Sequence, residues 1–504
     1  MSSLEEVRNE RIKKLNALKE KGIDPFPVST KRDATVAEAV DNFTKLKKKR
    51  KIYLAGRIMA IRAHGGSIFF NINDGSLATK TKETASLQSY IKQDEVGPEQ
   101  FSLFEQTIDI GDFVELAGSL FVTKRGEKTL LVSSWKILVK ALRPLPEKWH
   151  GLQDIEEKSR RRYLDLLSNE DSKKRFLIRS KMISEMRKFL DAAGYVEVET
   201  AVLQSLAGGA SAQPFLTHHN ALDIDLYLRI APELYLKKLL IGGIPKVYEV
   251  SRNFRNEGID VTHNPEFTAL EFYEAYSDAQ KQRELVEKML RSLVKTLFKK
   301  SFTEYAGNRI DFSKKFSVVS YYDLIKRGSL MPNPESAAQE DFSLKAKQLG
   351  IDVAPSDTKE KIMDNIFKKI IRPKLIQPTF VIDYPVNYLP LAKRKPDNPE
   401  LVDAFQFYAG GLELVKAFSE LNDPIDQTER FAQQDKAKAA GDVEAQPSDK
   451  DFVEAMEHGM PPAGGVGIGL DRLAMFFTDT ANIRDVVLFP TLRPKTNDEQ
   501  SNCC

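Results

Sequence analysis

The stretch that decides the fold is residues 247–274, VYEVSRNFRNEGIDVTHNPEFTALEFYE. Val247–Arg255 predicts a β-strand and Phe267–Glu274 predicts its antiparallel return, because both runs are rich in β-branched and aromatic residues. The loop between them contains Gly258 and the sequence His-Asn-Pro, which favour a chain reversal. This segment therefore predicts a hairpin within an antiparallel sheet.

The side chains of this hairpin are unusual for a core. They alternate between the two faces of a strand, so Arg255 and Glu257 share one face, and Phe267, Glu271 and Tyr273 share one face of the return strand. Charged and aromatic groups in this arrangement fit a hydrophobic core poorly. They indicate either a surface turned to solvent or a binding site.

The region around the hairpin, residues 176–495, is expected to form a second domain of the α+β class, an antiparallel sheet flanked by helices. It begins with a helix from Phe176 that ends at Gly194. Later strands and helices alternate without a regular βαβ rhythm. Neither a GxGxxG nor a GxxxxGK[ST] loop is present, which argues against Rossmann and P-loop folds. Polar helical insertions with little to offer a core are expected near 335–371 and 424–458.

The first part of the chain has a different pattern. Residues 1–50 are predicted to form a helical extension, and residues 51–142 a small N-terminal β-barrel such as the OB-fold. Residues 143–175 are predicted to be a linker, and residues 496–504 a tail. The barrel is predicted from short β-rich runs at Ile52–Ile61, Ser67–Asn73, Phe113–Val122 and Thr129–Val139.

Composition limits the possible classes of protein. The 75 Lys and Arg residues nearly balance the 72 Asp and Glu residues, so a nucleic-acid surface must be local. The basic run 45–51 either grips phosphates or is a solvated helix face. Cys503 and Cys504 are adjacent at the C-terminus, which argues against a structural zinc site. No apolar run approaches the roughly 20 residues of a membrane span, and no secretory signal begins the chain, so a cytoplasmic location without membrane contact is expected.

Three segments in order resemble the motifs of class II aminoacyl-tRNA synthetases in their lysyl form. Residues 252–257 (RNFRNE) with 263–268 (HNPEFT) resemble motif 2, residues 464–472 (GGVGIGLDR) motif 3, and residues 194–203 motif 1. The resemblance covers roughly residues 50–495. It implies a lysine–tRNA ligase that forms AMP and diphosphate, with ATP, L-lysine and tRNA(Lys) as substrates, Mg²⁺ as cofactor and a homodimeric state.

The resemblance also implies roles for residues at the ATP end of the site. Arg255 would bridge the α-phosphate and the substrate carboxylate, Phe267 and Arg472 would sandwich adenine, and Glu413 would hold Mg²⁺. Arg255 and Arg472 are the candidate catalytic residues. The full set expected to bind ATP is Arg255, Glu257, His263, Asn264, Phe267, Glu413 and Arg472.

Recognition of lysine is expected to come from negative charge, because lysine carries two ammonium groups. The implied lysine-binding residues are Gly209, Glu233, Glu271, Tyr273, Lys416, Phe418 and Glu420. Glu233 and Glu271 would take the α-amino group, and Glu420 with Tyr273 the ε-amino group. A regular strand would place Glu413 and Glu420 on opposite faces, so the resemblance implies a bend between them.

In the barrel, the implied anticodon-reading residues are Arg57, Phe69, Asn73 and Glu127. An Arg can stack or bind phosphate, a Phe can support an unstacked base, and Asn and Glu can bond base edges. Because Phe69 and Phe70 are adjacent in a strand, one of them must point into the core.

The sequence departs from the lysyl pattern around the substrates. Ala201 stands where motif 1 usually has proline, Gln213 and Thr262 where basic residues are usual, and Lys416 where Asn is usual. Gln406 stands where the family usually has a metal-binding Glu. These changes leave an alternative, a divergent relative that ligates lysine to a protein, or an RNA-binding or regulatory protein with impaired activation. The barrel argues against the protein ligase.

Overall fold

The computed structural model describes residues 3–146, 154–210, 212–354, 357–439 and 447–495. The chain forms two compact units, one of Met1–Lys174 with Leu492–Cys504 and one of Arg175–Thr491. The predicted tail 496–504, with its two cysteines, and residues 147–153 of the predicted linker lie outside the described residues.

The first unit contains a closed five-stranded barrel with strand order β1-β2-β3-β5-β4. Its strands are β1 Ile52–His64, β2 Ser67–Asn73, β3 Leu87–Lys92, β4 Phe113–Val122 and β5 Lys128–Val139. Four of these match predicted strands, and β3 was not predicted. Its helices are α1 Leu4–Glu20, α2 Val36–Asp41, α3 Phe43–Leu46, α4 Gln93–Val96, α5 Pro98–Thr107, α6 Ile155–Arg160 and α7 Arg162–Ser168.

The barrel closes because alternate side chains of each strand are apolar and point inward. In β2, Ile68, Phe70 and Ile72 are buried in the barrel core, and the intervening residues are half-buried. Phe70 packs on Phe104 of α5. Of the two adjacent phenylalanines, Phe70 is therefore the core residue and Phe69 lies on the other face. The basic run 45–51 is exposed except for Leu46.

The second unit is built on an eight-stranded sheet with order β14-β15-β16-β17-β18-β11-β10-β6. Smaller sheets are formed by β12 with β13 and by β7, β9 and β8. The strands are β6 Val196–Glu197, β7 Leu203–Gln204, β8 Leu216–His219, β9 Ile224–Leu228, β10 Lys246–Phe254, β11 Glu266–Ala275, β12 Phe302–Tyr305, β13 Asn308–Asp311, β14 Ser317–Ser320, β15 Thr379–Pro385, β16 Leu401–Ala409, β17 Leu412–Ser419 and β18 Ala463–Gly469.

The predicted hairpin is formed by β10 and β11, which pair antiparallel with Asn253 opposite Phe267 and Glu249 opposite Glu271. The sheet is mostly antiparallel, and only its two edge pairs, β14 with β15 and β6 with β10, run parallel. With the barrel, this confirms the α+β class predicted from the sequence.

Helices cover one face of the large sheet with the main hydrophobic core. They include α10, whose Val286, Met289 and Leu290 are buried, and α16, whose residues Leu473–Phe477 are buried. The helix predicted from Phe176 is α8, which begins at Glu170. The helices of this unit are α8 Glu170–Ala192, α9 Glu233–Ile241, α10 Ala279–Phe298, α11 Tyr321–Ser329, α12 Gln339–Gln348, α13 Lys359–Ile366, α14 Pro424–Ala439, α15 Lys450–Glu457 and α16 Leu470–Phe477.

Short irregular helices complete the second unit: a π-helix at Phe367–Ile371 and 3₁₀-helices at Arg372–Lys374, Val386–Tyr388 and Ile483–Asp485. Among the described residues, no helix has the length and apolar character needed to cross a membrane.

The two predicted insertions are helical, but the expectation that they contribute little to a core was wrong. In the first, Phe342 and Ile362 are fully buried in a cluster that also contains Tyr384 and Tyr408 of the sheet. In the second, Phe452 is buried against α9 residues. A few apolar residues at helical spacing are sufficient to dock each polar helix on the sheet.

Candidate active site

The second unit contains a pocket of about 380 Å³ on the open face of its large sheet. This volume lies in the range of small-molecule sites. The pocket is lined by every active-site residue predicted from the sequence except Gln406: Gly209, Glu233, Arg255, Glu257, His263, Asn264, Phe267, Glu271, Tyr273, Glu413, Lys416, Phe418, Glu420 and Arg472.

The sheet register arranges the pocket floor in rows across the central strands. One row pairs Phe418, Gly465 and Tyr273 from β17, β18 and β11. The next row, two residues along, pairs Lys416, Gly467 and Glu271. A third has Gly469 opposite Ala269, beside Phe267. Successive rows are about 7 Å apart, so the three span about 14 Å of strand.

Glycine is required in the first row because other side chains approach the backbone there. A Cβ built on Gly465 would lie 2.0 Å from Oε1 of Glu420 and 2.5 Å from a ring carbon of Tyr273. That oxygen of Glu420 is buried and has no hydrogen-bond partner among the described residues. It is therefore an acceptor directed over Gly465 at one end of the pocket.

This end of the pocket is strongly anionic. Glu233, Glu271 and Glu420 meet there, with Tyr273 donating a hydrogen bond of 2.9 Å to Oε2 of Glu271. The Nζ of Lys237 lies 2.6 Å from Oε1 of Glu233 and 2.5 Å from Oε2 of Glu420. Glu233 and Glu420 thus share one ammonium group of the protein, and Glu271 is hydrogen-bonded to Tyr273.

Burial and mutual repulsion shift the pKa values of this cluster. Burial, reinforced by Glu233, raises the pKa of Glu271 to about 8. Burial also raises the pKa of Glu420, although Lys237 opposes that shift. For Lys237, burial acts to lower the pKa, but the carboxylates of Glu233 and Glu420 outweigh it and the pKa is raised. The cluster is short of positive charge and suits a cationic ligand.

The opposite end of the pocket carries cationic and aromatic groups. The guanidinium of Arg255 lies over the Phe267 ring, 5.0 Å from its centroid, and its Nε is buried without a hydrogen-bond partner among the described residues. Burial lowers the pKa of Arg255. Nη2 of Arg472 lies 2.7 Å from Nε2 of His263, whose Nδ1 lies 2.8 Å from Asp260. These flat and charged groups suit a nucleotide.

Glu413 lines the pocket although a regular strand would turn it away from Glu420. The register between β16 and β17 shifts, because Phe407 pairs with Val415 and Tyr408 with Glu413. Leu414 is thus an extra residue, and such a β-bulge reverses the side-chain alternation beyond it. The bend implied by the resemblance is this bulge.

The side-chain amide oxygen of Gln406 is already hydrogen-bonded within the protein. Its Oε1 accepts a hydrogen bond of 2.9 Å from the hydroxyl of Tyr384 and another from the hydroxyl of Tyr408. An amide oxygen that already accepts two hydrogen bonds is a poor Mg²⁺ ligand, since Mg²⁺ prefers charged oxygens. No cluster of three or more His, Cys, Asp or Glu residues that could hold a metal occurs in the described part of the chain. Glu413, the other residue expected from the resemblance to contact a metal, lines the pocket.

Sequence reasoning missed two positions that hold the site together. Lys237 follows Glu233 by one helical turn in α9, and this i, i+4 spacing was the available signal. Asp471, at the start of α16, accepts a hydrogen bond of 2.7 Å from the backbone N–H of Thr268 and one of 2.6 Å from Arg179. These two hydrogen bonds connect the start of α16 to strand β11 and to helix α8.

In the barrel, three of the four predicted anticodon residues lie on β1 and β2. Arg57 pairs with Asn73, and its guanidinium lies 4.3 Å from the centroid of Phe113. Burial lowers the pKa of Arg57. Phe69 stacks on Tyr90 with ring centroids 4.3 Å apart. Glu127 is exposed in the turn before β5.

Comparison with known proteins agrees with this arrangement. Residues 154–493 match the family described as tRNA synthetases class II (D, K and N), and residues 52–138 match the OB-fold nucleic acid binding domain. The chain is 47% identical to a lysine–tRNA ligase of Pelotomaculum thermopropionicum, over 98% of this chain and 96% of the relative. It is 45% identical to that of Syntrophomonas wolfei subsp. wolfei, over 98% and 99%, and 46% identical to that of Carboxydothermus hydrogenoformans, over 98% and 99%. This chain therefore belongs to the class II tRNA synthetases, in the group whose members are specific for aspartate, lysine or asparagine.

Proposed function

We propose that this chain activates L-lysine with ATP to form lysyl-adenylate and transfers the lysyl group to the 3′ end of tRNA(Lys). The observation that carries the proposal is the anionic end of the pocket. Three carboxyl groups, from Glu233, Glu271 and Glu420, line this end of the cavity, and the buried ammonium group of Lys237 pairs with two of them, Glu233 and Glu420. Of the three amino acids associated with the family, only lysine has a cationic side chain.

Aspartate and asparagine do not fit this end. An aspartate side chain would require a cationic partner, and an asparagine side chain would leave at least one carboxylate unpaired. The unpaired Oε1 of Glu420 and the hydroxyl of Tyr273 are the groups we assign to the ε-ammonium group, and Glu233 and Glu271 those we assign to the α-ammonium group. Neutral isosteres of lysine would be rejected because they leave buried carboxylates without a partner.

The proposed reaction follows the long axis of the pocket. A carboxylate oxygen of lysine attacks the α-phosphorus of ATP, the bond from that phosphorus to the bridging oxygen breaks, and pyrophosphate leaves with the electron pair. Arg255 is assigned to the charge that gathers on the α-phosphate and carboxylate, because its guanidinium offers fixed donors there. In the second step a terminal ribose hydroxyl of tRNA attacks the carbonyl carbon, and AMP leaves.

The adenine base is assigned to the end formed by Phe267 and Arg472, with His263 and Glu257 near the phosphates and the base. Arg472 contacts His263 in the structure, so the proposed adenine sandwich requires Arg472 to turn from His263 toward the ring of Phe267. A Mg²⁺ ion held by Glu413 and the phosphates of ATP would neutralise part of their charge.

The barrel is assigned to the anticodon of tRNA(Lys). The support is the surface that carries the stacked pair Phe69 and Tyr90 beside Arg57 and Asn73, since aromatic rings and cationic groups bind unstacked bases and phosphates. Because charging of tRNA serves translation, the proposal includes a cytoplasmic location.

A homodimer is part of the proposal. Its support is a group of exposed apolar side chains near motif 1 and the small sheet β7-β9-β8: Val196, Val202, Leu203, Leu216 and Ile224. Exposed apolar groups clustered in this way indicate a protein interface.

The experiment that tests the proposed function is charging of purified tRNA(Lys) with radiolabelled lysine in the presence of ATP. Acid-precipitable lysyl-tRNA is the expected product. A protein that forms lysyl-adenylate but no lysyl-tRNA would match the alternative of a divergent relative, and a protein that forms neither would match loss of activation.

A further inference from the structure

Lys416 is a cationic residue of the pocket floor. It lies in β17, lines the pocket and is exposed to it. Within the described residues its ammonium group makes neither a hydrogen bond nor an ion pair. Lys237, the other lysine at the pocket, has carboxylates on two sides. An unpaired ammonium group in a substrate pocket is a site for an anion.

The position of Lys416 identifies which anion could reach it. Lys416 lies in the middle row, separated from Glu271 by Gly467, whose lack of a side chain leaves the space between them open. The row on one side belongs to the lysine end, and the row on the other side belongs to the nucleotide end. The middle row is thus level with the junction at which the carboxylate of the amino acid and the α-phosphate of ATP must meet. This assignment rests on the proposed function.

The residue opposite Lys416 supplies no charge to pair with its ammonium group. Gln406 pairs directly with Lys416 across β16 and β17, so their side chains leave the same face of the sheet. The amide of Gln406 is neutral, and its oxygen accepts hydrogen bonds from Tyr384 and Tyr408. A carboxylate at this position would pair with Lys416 or bind a divalent cation. With glutamine there, the ammonium group remains available to substrate.

We propose that Lys416 is a fixed counter-ion for the junction of the α-phosphate and the amino-acid carboxylate, and that it takes over charge neutralisation for which a carboxylate-bound divalent cation would otherwise be needed. In this role Lys416 acts through its charge and not as a proton donor, so no bond changes on it. Two consequences follow. ATP should bind this protein measurably without divalent metal, and the pair Gln406 and Lys416 should keep a further metal ion out.

The first consequence is tested by calorimetric titration of the full-length protein with ATP in EDTA. Lys416→Asn is expected to weaken metal-free ATP binding about tenfold or more, as for loss of one hydrogen bond to a charged group. Lys368→Asn is the matched control, because Lys368 carries a nearby charge that is paired with Asp364 at 2.7 Å and does not line the pocket. Metal-free binding by Lys416→Asn equal to that of the unchanged protein would overturn the proposal.

A conservative variant separates loss of charge from loss of structure. Lys416→Arg keeps the positive charge and is expected to retain most of the metal-free affinity for ATP. If Lys416→Arg and Lys416→Asn lose affinity equally while both unfold at the temperature of the unchanged protein, the counter-ion role is excluded.

The second consequence is tested by counting Mn²⁺ ions bound per chain in the presence of ATP by electron paramagnetic resonance. Gln406→Glu alone is expected to bind no additional ion, because Lys416 would pair with the new carboxylate. The double variant Gln406→Glu, Lys416→Asn is expected to bind one more. An additional ion with Gln406→Glu alone would contradict the opposition between Lys416 and metal.

Neither binding measurement contains an amino acid, so their outcomes are separate from that of the proposed function. If ATP–pyrophosphate exchange depends on an amino acid other than lysine while Lys416→Asn still weakens metal-free ATP binding, the proposed specificity fails and the contact between Lys416 and the nucleotide stands.

Discussion

The Nζ atom of Lys237 lies 2.5 Å from Oε2 of Glu420, at the end of the pocket where the proposed substrate would place a second ammonium group. Lys237 is fully buried, and it makes a second ion pair with Glu233 at 2.6 Å. The protein thus holds one lysine of its own against the carboxylates assigned to substrate. This leaves Oε1 of Glu420, which has no hydrogen-bond partner among the described residues, for the ligand, while Lys237 reduces repulsion between the carboxylates in the empty pocket.

Removal of this internal ion pair should destabilise the second unit. Lys237→Met leaves Glu233 and Glu420 without their partner, and breaking a buried pair from one side costs about 3–5 kcal/mol. The thermal unfolding midpoint should therefore fall, and saturating lysine should restore part of the loss because the substrate ammonium groups pair with the same carboxylates. Lys238→Met, the same change one residue along α9, is the control. Equal destabilisation by both substitutions would argue against the buried pair as the cause.

Binding of lysine should release a proton near neutral pH. The pKa of Glu271 is raised to about 8 by burial and by Glu233, so much of this carboxyl group is protonated in the empty pocket at pH 7. A bound ammonium group favours the carboxylate and displaces the proton. Calorimetry at pH 7 in two buffers of different ionisation enthalpy should detect this release, and Glu271→Gln should reduce it, with the remaining release coming from Glu420, whose pKa is also raised by burial. Binding heats independent of buffer in the unchanged protein would contradict the assignment.

The same group gives stability a definite pH dependence. In the unfolded chain the pKa of a glutamate is about 4.3, whereas the pKa of Glu271 in the folded protein is about 8. Between these values the folded protein holds a proton that the unfolded chain has lost, so this contribution to stability falls as pH rises from about 5 to about 8. Glu271→Gln should make that part of the pH profile of the unfolding midpoint less steep, because only Glu420, whose pKa is also raised by burial, then contributes to it. A profile with the same slope in both proteins would assign the effect to another group.

The two adjacent phenylalanines of β2 should separate RNA binding from stability. Phe69→Ala should weaken binding of an anticodon stem-loop of tRNA(Lys) by about 1–3 kcal/mol if its ring supports a base. Phe70→Ala should instead destabilise the barrel by about 3–5 kcal/mol, because Phe70 is buried against Phe104. Fluorescence anisotropy and thermal unfolding of both full-length variants measure the two effects. Unchanged RNA affinity with a less stable barrel in Phe69→Ala would reassign Phe69 to the core.

The sequence predicted which residues line the pocket better than it predicted the contacts that those residues make with one another. The hairpin of β10 and β11 follows from alternation and turn residues within 28 positions of sequence, which are local signals. The β-bulge at Leu414 does not, because it depends on pairing between β16 and β17. For the same reason alternation alone could not bring Glu413 and Glu420 to one pocket, and the resemblance to known synthetases supplied that expectation.

Two other features depended on tertiary contacts that local patterns do not contain. Strand β3 is short, and one of its two partners is β5, with which it pairs in parallel and which lies far along the chain. The surroundings of Gln406 were also hidden, because the tyrosines that bond its amide come from β15 and β16 and meet only in the folded sheet. The sequence identified Gln406 as unusual, and the fold shows what its side chain contacts.

The central claim is that the anionic end of the pocket selects lysine, and amino-acid-dependent ATP–pyrophosphate exchange tests it most directly. Purified protein should catalyse exchange between pyrophosphate and ATP when lysine is present. It should show at most traces of exchange when aspartate, asparagine or arginine is present instead. Glu420→Gln should weaken lysine binding by about 2–5 kcal/mol, the range for truncating one partner of a buried charged pair. Exchange supported by aspartate, asparagine or arginine as well as by lysine would contradict the account.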